Sequence, residues 1–299
     1  MNSPAAADGA GAWRLGDLGV NRLGLGAMRL TGSRTSGDGA SGVRARSIAV
    51  LRRAIELGVN HLDTAAFYFS PLLSANELIS SALAPYPDDV VIATKVGPGR
   101  DPSGEWYTAT PRQLRGQVEE NLRQLGRDHL DVVYLRRMRQ ESIAEHFGAL
   151  AETREAGLVR YLGVSDVTTA QLAEARAIAP VVCVQNKFSL ECREHRTVLQ
   201  ACGEHGIAFV PYFAIAGDRR ARGGSGSESG PLIDVARRHE ATPAQVRLAW
   251  TLHQGPHVLA IPGTGNLEHL AENIAASALR LTGADLALLD SHPVRTARD

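Results

Sequence analysis

The sequence has few cysteines, and none of them has the spacing of a metal site. Cys183, Cys192 and Cys202 form an odd set without a Cys-x-x-Cys pair, which argues against a disulfide framework and a structural zinc site. Cys183 lies in the apolar run VVCVQ, and cysteines of this kind are commonly small core residues. We therefore predict that all three are structural and that the protein has no metal site.

The chain also lacks an excess of charge of either sign and a long apolar run. Its 299 residues have a formal net charge of zero and no block of Lys and Arg, so nothing indicates a nucleic-acid partner. No apolar run approaches the roughly 20 residues of a membrane helix. The start MNSPAAADGAGAW has neither the basic nor the apolar part of a signal peptide. We expect no nucleic-acid partner, no membrane association and a cytoplasmic location; the sequence predicts no oligomeric state.

Apolar strand-like runs alternate with amphipathic segments, which is the pattern of βα units around a parallel sheet. A helix is predicted in PRQLRGQVEENLRQLG, beginning with Thr110-Pro111 and ending at Gly126. The length fits one barrel or two smaller domains, but the pattern closes a barrel more naturally than an open sheet. We predict an α/β fold, a single (β/α)8 TIM barrel over residues 13–299. The strands are predicted at 23–28, 60–64, 90–96, 131–135, 160–164, 181–185, 208–212 and 258–261.

Three residues stand where two successive strand-like runs end, in HLDTAAFYFS and VVIATKVGPG. They are Asp63, Tyr68 and Lys95, and the ends of adjacent parallel strands face the same mouth of a barrel. A phenol has a reference pKa of about 10, and a cation roughly 4 Å away stabilises phenolate by about 4 kcal/mol. Lys95 can supply that cation while Asp63 keeps it charged and aimed, which makes Tyr68 a candidate general acid.

Asp63 taken alone also fits a structural helix N-cap. Lys95 argues for the catalytic interpretation, because lysine is rarely buried without a partner.

These residues belong to a series of motifs that resembles the aldo-keto reductase superfamily over residues 23–273. In the family's order they are DTAxxY at 63–68, NE at 76–77, ATK at 93–95, GVSD at 163–166, Gln185, and IPGT at 261–264. The resemblance implies a (β/α)8 barrel that binds NADP(H) and reduces aldehydes or ketones. It assigns Tyr68 as the acid, Lys95 as its modulator and Asp63 as the orienting carboxylate. No strand is followed by GxGxxG, so a Rossmann cofactor site is not supported.

The chain departs from the family at the fourth catalytic position, where LDVVYLRRM places Arg136 instead of the usual His. A neutral imidazole donates one hydrogen bond and titrates, whereas a guanidinium stays cationic and offers a rigid fork of donors. Arg136 is therefore a candidate to polarise a carbonyl, to hold a phenolate-like oxygen or to pair with an anionic substrate group. Arginine also occurs here in a bacterial branch that resembles pyridoxal reductases.

The resemblance assigns the cofactor to residues that follow several strands. Ser165, Asp166 and Gln185 are expected at the nicotinamide carboxamide, and Tyr212 at the face of the ring, although a lone aromatic in FVPYFAIA also fits the core. Asp166 stands where the family more often has Asn. A carboxylate still accepts the amide hydrogens.

The adenosine end of the cofactor is assigned to IPGTGNLEHLAEN, a strand, a Gly turn and a helix start whose N–H groups favour phosphate. Gly263 replaces a frequent Lys and His269 a frequent Arg, so we expect a modest preference for NADPH over NADH. The remaining predicted cofactor residues are Gly26, Ala27, Met28, Thr264, Asn266, His269, Glu272 and Asn273. For Glu272 and Asn273, a helix-capping or surface role is the alternative.

Phe67 and Trp106 are predicted to wall an aromatic substrate pocket, or else to cover the barrel rim.

Two segments depart from the alternation of strands and helices. Residues 1–12 are predicted to be a disordered tail, before a hairpin in WRLGDLGVNRLGLG at the barrel floor. The polar segment 217–230 is either a solvated linker or a flap over the cofactor.

The sequence thus predicts NADPH-dependent reduction of an aldehyde or ketone to an alcohol, with a small-molecule carbonyl substrate. The alternative enzyme is a pyridoxal-type or secondary-metabolite carbonyl reductase, which Arg136 favours. The alternative of another class is a cofactor-binding regulatory subunit with little turnover. A tuned acid at Tyr68 argues against that last class.

Overall fold

The computed structural model describes residues 6–32, 39–101, 103–215 and 230–291. The strands are β1 (Ala12–Leu15), β2 (Leu18–Asn21), β3 (Leu25–Gly26), β4 (His61–Asp63), β5 (Phe69–Ser70), β6 (Leu73–Ser74), β7 (Val91–Val96), β8 (Pro98–Arg100), β9 (Trp106–Thr108), β10 (Leu130–Arg136), β11 (Val159–Ser165), β12 (Val181–Gln185) and β13 (Ala208–Phe209). The α-helices are α1 (Ala40–Glu56), α2 (Ala75–Leu83), α3 (Pro111–Leu125), α4 (Ala144–Glu155), α5 (Thr169–Ile178), α6 (Arg196–Glu204), α7 (Gly230–Arg238), α8 (Pro243–Leu252), α9 (Leu267–Ala275) and α10 (Gly283–Asp290).

Seven parallel strands form one curled sheet in the order β13-β12-β11-β10-β7-β4-β3. Strands that follow one another in the chain are neighbours, with helices between them, as βα units require. The predicted (β/α)8 barrel is confirmed.

The eighth barrel position closes the ring by single-residue bridges rather than by a regular strand. Val258 bridges Phe209, and Ala260 bridges Leu23. The predicted strand at 258–261 is therefore shorter than expected, and Pro262 follows it directly. Proline has no N–H to extend a ladder. The same reason applies to the seventh strand, which ends at Phe209 before Pro211 instead of reaching residue 212.

The first barrel strand is also shorter than predicted, because only Leu25–Gly26 is extended and Ala27–Arg29 form a 3-10 turn. Gly26 lies where the ring closes, and a Cβ added there would be 2.8 Å from the carbonyl oxygen of Ile261. The short first strand thus depends on a residue without a side chain.

Local signals correctly predicted α3. Thr110 forms a capping box with Gln113, Pro111 occupies the first turn, and Gly126 ends the helix in the left-handed conformation. All three cysteines are buried, as predicted.

The predicted hairpin is formed by β1 and β2, which pair antiparallel. Leu15 and Val20 are fully buried against barrel residues that include Val91, Val132 and Leu259. The hairpin therefore closes the floor of the barrel.

The predicted disordered tail is wrong for residues 6–12. Ala7–Ala10 form a 3-10 helix, the Ala7 N–H donates to the carbonyl of Leu57 at 2.9 Å, and Ala7 is fully buried. A small side chain at Ala7 lets this Ala- and Gly-rich segment pack closely, which its composition alone does not reveal. Residues 1–5, and the predicted flap or linker up to residue 229, lie outside the described residues. Within the described part of the chain, no helix is long and apolar enough to span a membrane.

Candidate active site

The candidate site lies at the rim where the parallel strands end. In the strand register Gly26 pairs with Asp63, Tyr134 with Lys95, Arg136 with Ser165, and Ser165 with Gln185. Because these pairs are near the carboxyl ends of neighbouring strands, the predicted catalytic side chains share one mouth. This is the end opposite the hairpin.

Asp63 and Lys95 form a buried ion pair at the ends of β4 and β7. Lys95 Nζ is 2.6 Å from Asp63 Oδ1, and the Lys95 and Asp63 side chains are 1% and 4% exposed. Lys95 also donates to the carbonyl of Thr64 at 3.0 Å, and Gln185 Nε2 donates to Asp63 Oδ2 at 2.7 Å. Both carboxylate oxygens are therefore occupied by donors. The sequence prediction missed this partner of Gln185.

The ion pair keeps Lys95 positively charged. Burial by itself would lower the pKa of Lys95, but the charges of Asp63 and Tyr68 and their hydrogen bonds outweigh burial and raise it above its ordinary value. Lys95 Nζ lies 4.9 Å from the centre of the Tyr68 ring. The arrangement places a fixed cation beside a phenol that is only partly buried, which suits proton donation to a bound molecule.

A chain of buried polar side chains supports the ends of β4 and β7. Thr64 Oγ1 donates to Asn76 Oδ1 at 2.7 Å, and Asn76 Nδ2 donates to Asn121 Oδ1 at 2.9 Å. Thr94 Oγ1 donates to the same Asn121 oxygen at 2.6 Å. The strand ends that carry Asp63 and Lys95 are thus tied to α2 and α3. Asn76 belongs to the NE motif, but Asn121 gives no signal beyond a polar residue on the apolar side of a helix.

Arg136 lies at the end of β10 and points its donors along the rim. Its Nη1 donates to Ser165 Oγ at 3.2 Å, its Nη2 is 4.0 Å from Asp166 Oδ2, and its guanidinium lies 5.3 Å from the centre of the Tyr212 ring. Burial opposes the charge, but Tyr212 and Asp166 outweigh burial, so the pKa of Arg136 is raised. Tyr68 contributes to the same shift. Arg136 therefore interacts electrostatically with Tyr68 as well.

Asp166 and Tyr212 form the wall beside Arg136. The Tyr212 hydroxyl donates to Asp166 Oδ1 at 3.1 Å, and burial raises the pKa of Tyr212. Asp166 has a φ of 63°, in the left-handed region. Asn and Asp tolerate this conformation better than most residues. The backbone at position 166 therefore favours one of these two residues.

The predicted cofactor segment after the eighth barrel position forms a turn and the start of α9. Asn266 caps the helix, and its side-chain oxygen accepts from the N–H groups of Glu268 and His269 at 2.7 and 3.1 Å. Thr264 Oγ1 accepts from the Asn266 N–H at 3.0 Å. Asn266 and His269 are exposed, Thr264 and Asn273 are buried, and the Glu272 carbonyl accepts from Gln245.

Gly26 and Gly263 approach closely, since a Cβ on Gly263 would be 2.9 Å from the carbonyl oxygen of Gly26. Ala27 is buried and Met28 is 41% exposed. A glycine-lined rim with exposed polar groups at a helix start fits an elongated, phosphate-bearing cofactor. Within the described residues, no cluster of His, Cys, Asp and Glu is arranged to hold a metal ion.

Aromatic side chains lie beside Tyr68. The Phe67 ring lies 5.2 Å from that of Tyr68 and 5.5 Å from that of Trp106. Phe67 is buried, whereas Trp106 is 56% exposed. The sequence prediction did not include Arg100. Its guanidinium carbon lies 4.7 Å from the centre of the Phe69 ring and 5.5 Å from the centre of the Trp106 ring. These contacts hold the β5–β6 and β8–β9 hairpins together at the rim.

Comparison with known proteins identifies the family of the chain. The model of the Aldo/keto reductase family matches residues 22–293. The chain is 44% identical over 284 residues to pyridoxine 4-dehydrogenase of Escherichia coli strain K12, an alignment that covers 92% of this chain and 96% of the relative.

Solved structures of the same family have a similar fold. An aldo-keto reductase from Klebsiella pneumoniae in complex with NADPH superposes with a TM-score of 0.77 at 27% identity, covering 100% of this chain and 98% of that one. A thermostable aldo-keto reductase in complex with the inhibitor epalrestat gives 0.78 at 30% identity, covering 94% and 98%.

The chain belongs to the aldo/keto reductase family. Two of the similar solved structures, both of Klebsiella pneumoniae aldo-keto reductases, are complexes with NADP and with NADPH.

Proposed function

We propose that the protein catalyses NADPH-dependent reduction of an aldehyde to an alcohol, with Tyr68 as the proton donor. The observation that carries this proposal is the buried Lys95–Asp63 ion pair beside the half-buried Tyr68. A protein that only binds a cofactor has no need for a lysine kept charged in this way.

NADPH supplies the hydride to the carbonyl carbon when it is bound. The Tyr68 hydroxyl donates its proton to the oxygen, and Lys95 stabilises the phenolate that remains. Asp63, held by Gln185, keeps Lys95 charged through the step. Arg136 donates to the substrate oxygen and balances negative charge as it develops.

The substrate we propose is pyridoxal, with oxidation of pyridoxine as the reverse reaction. Two observations support this choice: the 44% identity to pyridoxine 4-dehydrogenase and the arginine at position 136. Pyridoxal carries an acidic hydroxyl on the ring carbon next to its formyl group. A guanidinium fork can donate to two neighbouring oxygens at once, which an imidazole cannot do. Phe67 and Trp106 supply aromatic surface for the ring.

The test is NADPH consumption with pyridoxal, other aldehydes and ketones, and NADPH formation with pyridoxine and NADP⁺. Tyr68→Phe removes the transferable proton, so hydride transfer should fall about 10²–10⁴-fold while NADPH affinity, measured by fluorescence titration, stays nearly unchanged. A single-turnover rate within a few-fold of wild type would show that Tyr68 is not the acid. Turnover of simple aldehydes but not of pyridoxal would contradict the substrate alone.

A further inference from the structure

Arg136 and Asp166 are two rim residues at which the chain departs from the common pattern, and they lie side by side. Arg136 stands in place of His and Asp166 in place of Asn. Arg136 Nη2 and Asp166 Oδ2 are 4.0 Å apart, and the side chains are 27% and 28% exposed. One departure adds a positive charge and the other a negative charge at the same place.

Asp166 is held so that one particular oxygen faces Arg136. Its N–H donates to the carbonyl of Gln185 at 3.0 Å, and its own carbonyl accepts from Arg137 Nε at 2.6 Å. Tyr212 occupies Oδ1, which leaves Oδ2 toward the guanidinium. The left-handed backbone accepts Asn as readily as Asp, so backbone geometry does not require the charge.

Two cations of the mouth each have an acidic partner. Lys95 is paired with Asp63 at 2.6 Å. Asp166 is the carboxylate whose charge raises the pKa of Arg136, and Tyr68 acts on the same guanidinium. At 4.0 Å, Arg136 Nη2 is too far from Asp166 Oδ2 for a hydrogen bond. Ser165 Oγ accepts from Nη1, so other N–H groups of the guanidinium remain to bind a substrate.

We propose that Asp166 is a positioning residue that aims and charge-balances Arg136, and that the pair selects aromatic aldehydes with an acidic oxygen beside the carbonyl. The selection rests on the proposed aldehyde reduction. Asp166 itself makes no contact with the substrate in this role. It holds the guanidinium in the orientation that reaches two substrate oxygens, and it prevents excess positive charge from binding anions in unproductive poses.

The proposal predicts a split between kcat and KM. In Asp166→Asn the guanidinium loses its anchor, so kcat for 2-hydroxybenzaldehyde should fall about tenfold, the effect expected for one charge-assisted hydrogen bond. KM for the same compound should stay level or fall, because the mouth gains net positive charge. Because Asp166 is also a predicted cofactor residue, a loss common to both aldehydes reports on the cofactor; the loss with benzaldehyde, which lacks the second oxygen, should be at least about threefold smaller.

The experiment is a double-mutant cycle with Arg136→Met, Asp166→Asn and the combined variant, measured with saturating NADPH. In the Arg136→Met background, Asp166→Asn should change the selectivity between the two aldehydes less than twofold. Asp17→Asn is the matched control, since it removes the acid of an Arg–Asp pair at the barrel floor, where Arg160 Nη2 lies 3.0 Å from Asp17 Oδ1. It should leave selectivity unchanged. Arg136→His combined with Asp166→Asn restores the common pattern; it should reduce benzaldehyde faster than Arg136→Met does, but without the preference for the 2-hydroxy compound.

Equal effects of Asp166→Asn in the wild-type and Arg136→Met backgrounds would overturn the proposal. The proposal would also be overturned if Asp166→Asn lowered the melting temperature so far that unfolding explained the whole loss of activity per milligram. Binding of 2-hydroxybenzaldehyde to the NADP⁺ complex of Tyr68→Phe, measured by calorimetry, gives a readout without turnover. Suppose that binding shows coupling between Arg136 and Asp166 but that the unsubstituted protein reduces no aldehyde: this would overturn the proposed function and leave the role of the Arg136–Asp166 pair intact. Absence of coupling both in binding and in kcat would overturn the role of the pair alone.

Discussion

Replacing Asp63 by Asn should strongly destabilise the protein, because it leaves Lys95 charged and buried without its counter-ion. The Lys95 side chain is 1% exposed, and its charge is maintained by a 2.6 Å contact. Removing one partner of a buried pair costs about 3–5 kcal/mol, a large part of the roughly 5–15 kcal/mol that stabilises a typical domain. The amide also has one acceptor oxygen where the carboxylate has two, so its NH2 group would face either Lys95 or Gln185, both of which are donors.

The loss should depend on pH in a defined direction. Without Asp63, burial lowers the pKa of Lys95, so folding favours the neutral amine and the variant gains stability as pH rises toward the ordinary lysine value. Urea denaturation at pH 7 and pH 9.5 measures this, with Asp63→Asn/Lys95→Met as the control that removes both charges and should recover much of the stability. A loss below about 1 kcal/mol at pH 7, or a double variant no more stable than the single one, would refute this account of Lys95.

Three further predictions test other parts of the structure. Burial lowers the pKa of His61 from 6.5 to about 4, so stability should fall by about 3 kcal/mol as pH drops from 6.5 to 4. His61→Leu should remove that part of the pH dependence in urea titrations. Gly97 has a φ of 113°, and an added Cβ would be 2.5 Å from the carbonyl oxygen of Arg136; Gly97→Ala should therefore cost at least about 2 kcal/mol of stability and impair turnover. NADPH should bind more tightly than NADH by a modest margin, because the N–H groups at the start of α9 favour the 2′-phosphate, and equal affinities would contradict this.

Much of the fold could be predicted because it follows from local signals. Alternating runs and amphipathic segments located the parallel strands, and Thr110, Pro111 and Gly126 marked the ends of α3. The short eighth position could not be predicted from its apolar run, because ring closure depends on how Gly26 and Pro262 meet in space. The buried Ala7 likewise depends on a contact with Leu57 that no local pattern encodes.

The site could be predicted in part for a similar reason. Asp63 and Lys95 end adjacent strands, so their contact follows from topology, and Lys95 is one of only two lysines in the chain. The partner of Gln185 could not be predicted, because an amide at a strand end can turn to a cofactor or to a neighbouring carboxylate. The approach of Asp166 to Arg136 also required the structure, since it depends on the left-handed backbone at Asp166.

The hairpin at the barrel floor joins residues from the two ends of the chain. Leu15 and Val20 pack against Leu259, and Arg22 donates to the carbonyls of Val258 and Gly255 at 3.0 and 2.7 Å, across 236 and 233 positions of the chain. Such contacts raise the contact order and carry the largest loop-closure cost, so they form after local βα pairing. Substitutions in the hairpin should therefore act mainly on the unfolding rate and much less on the rate at which the barrel folds.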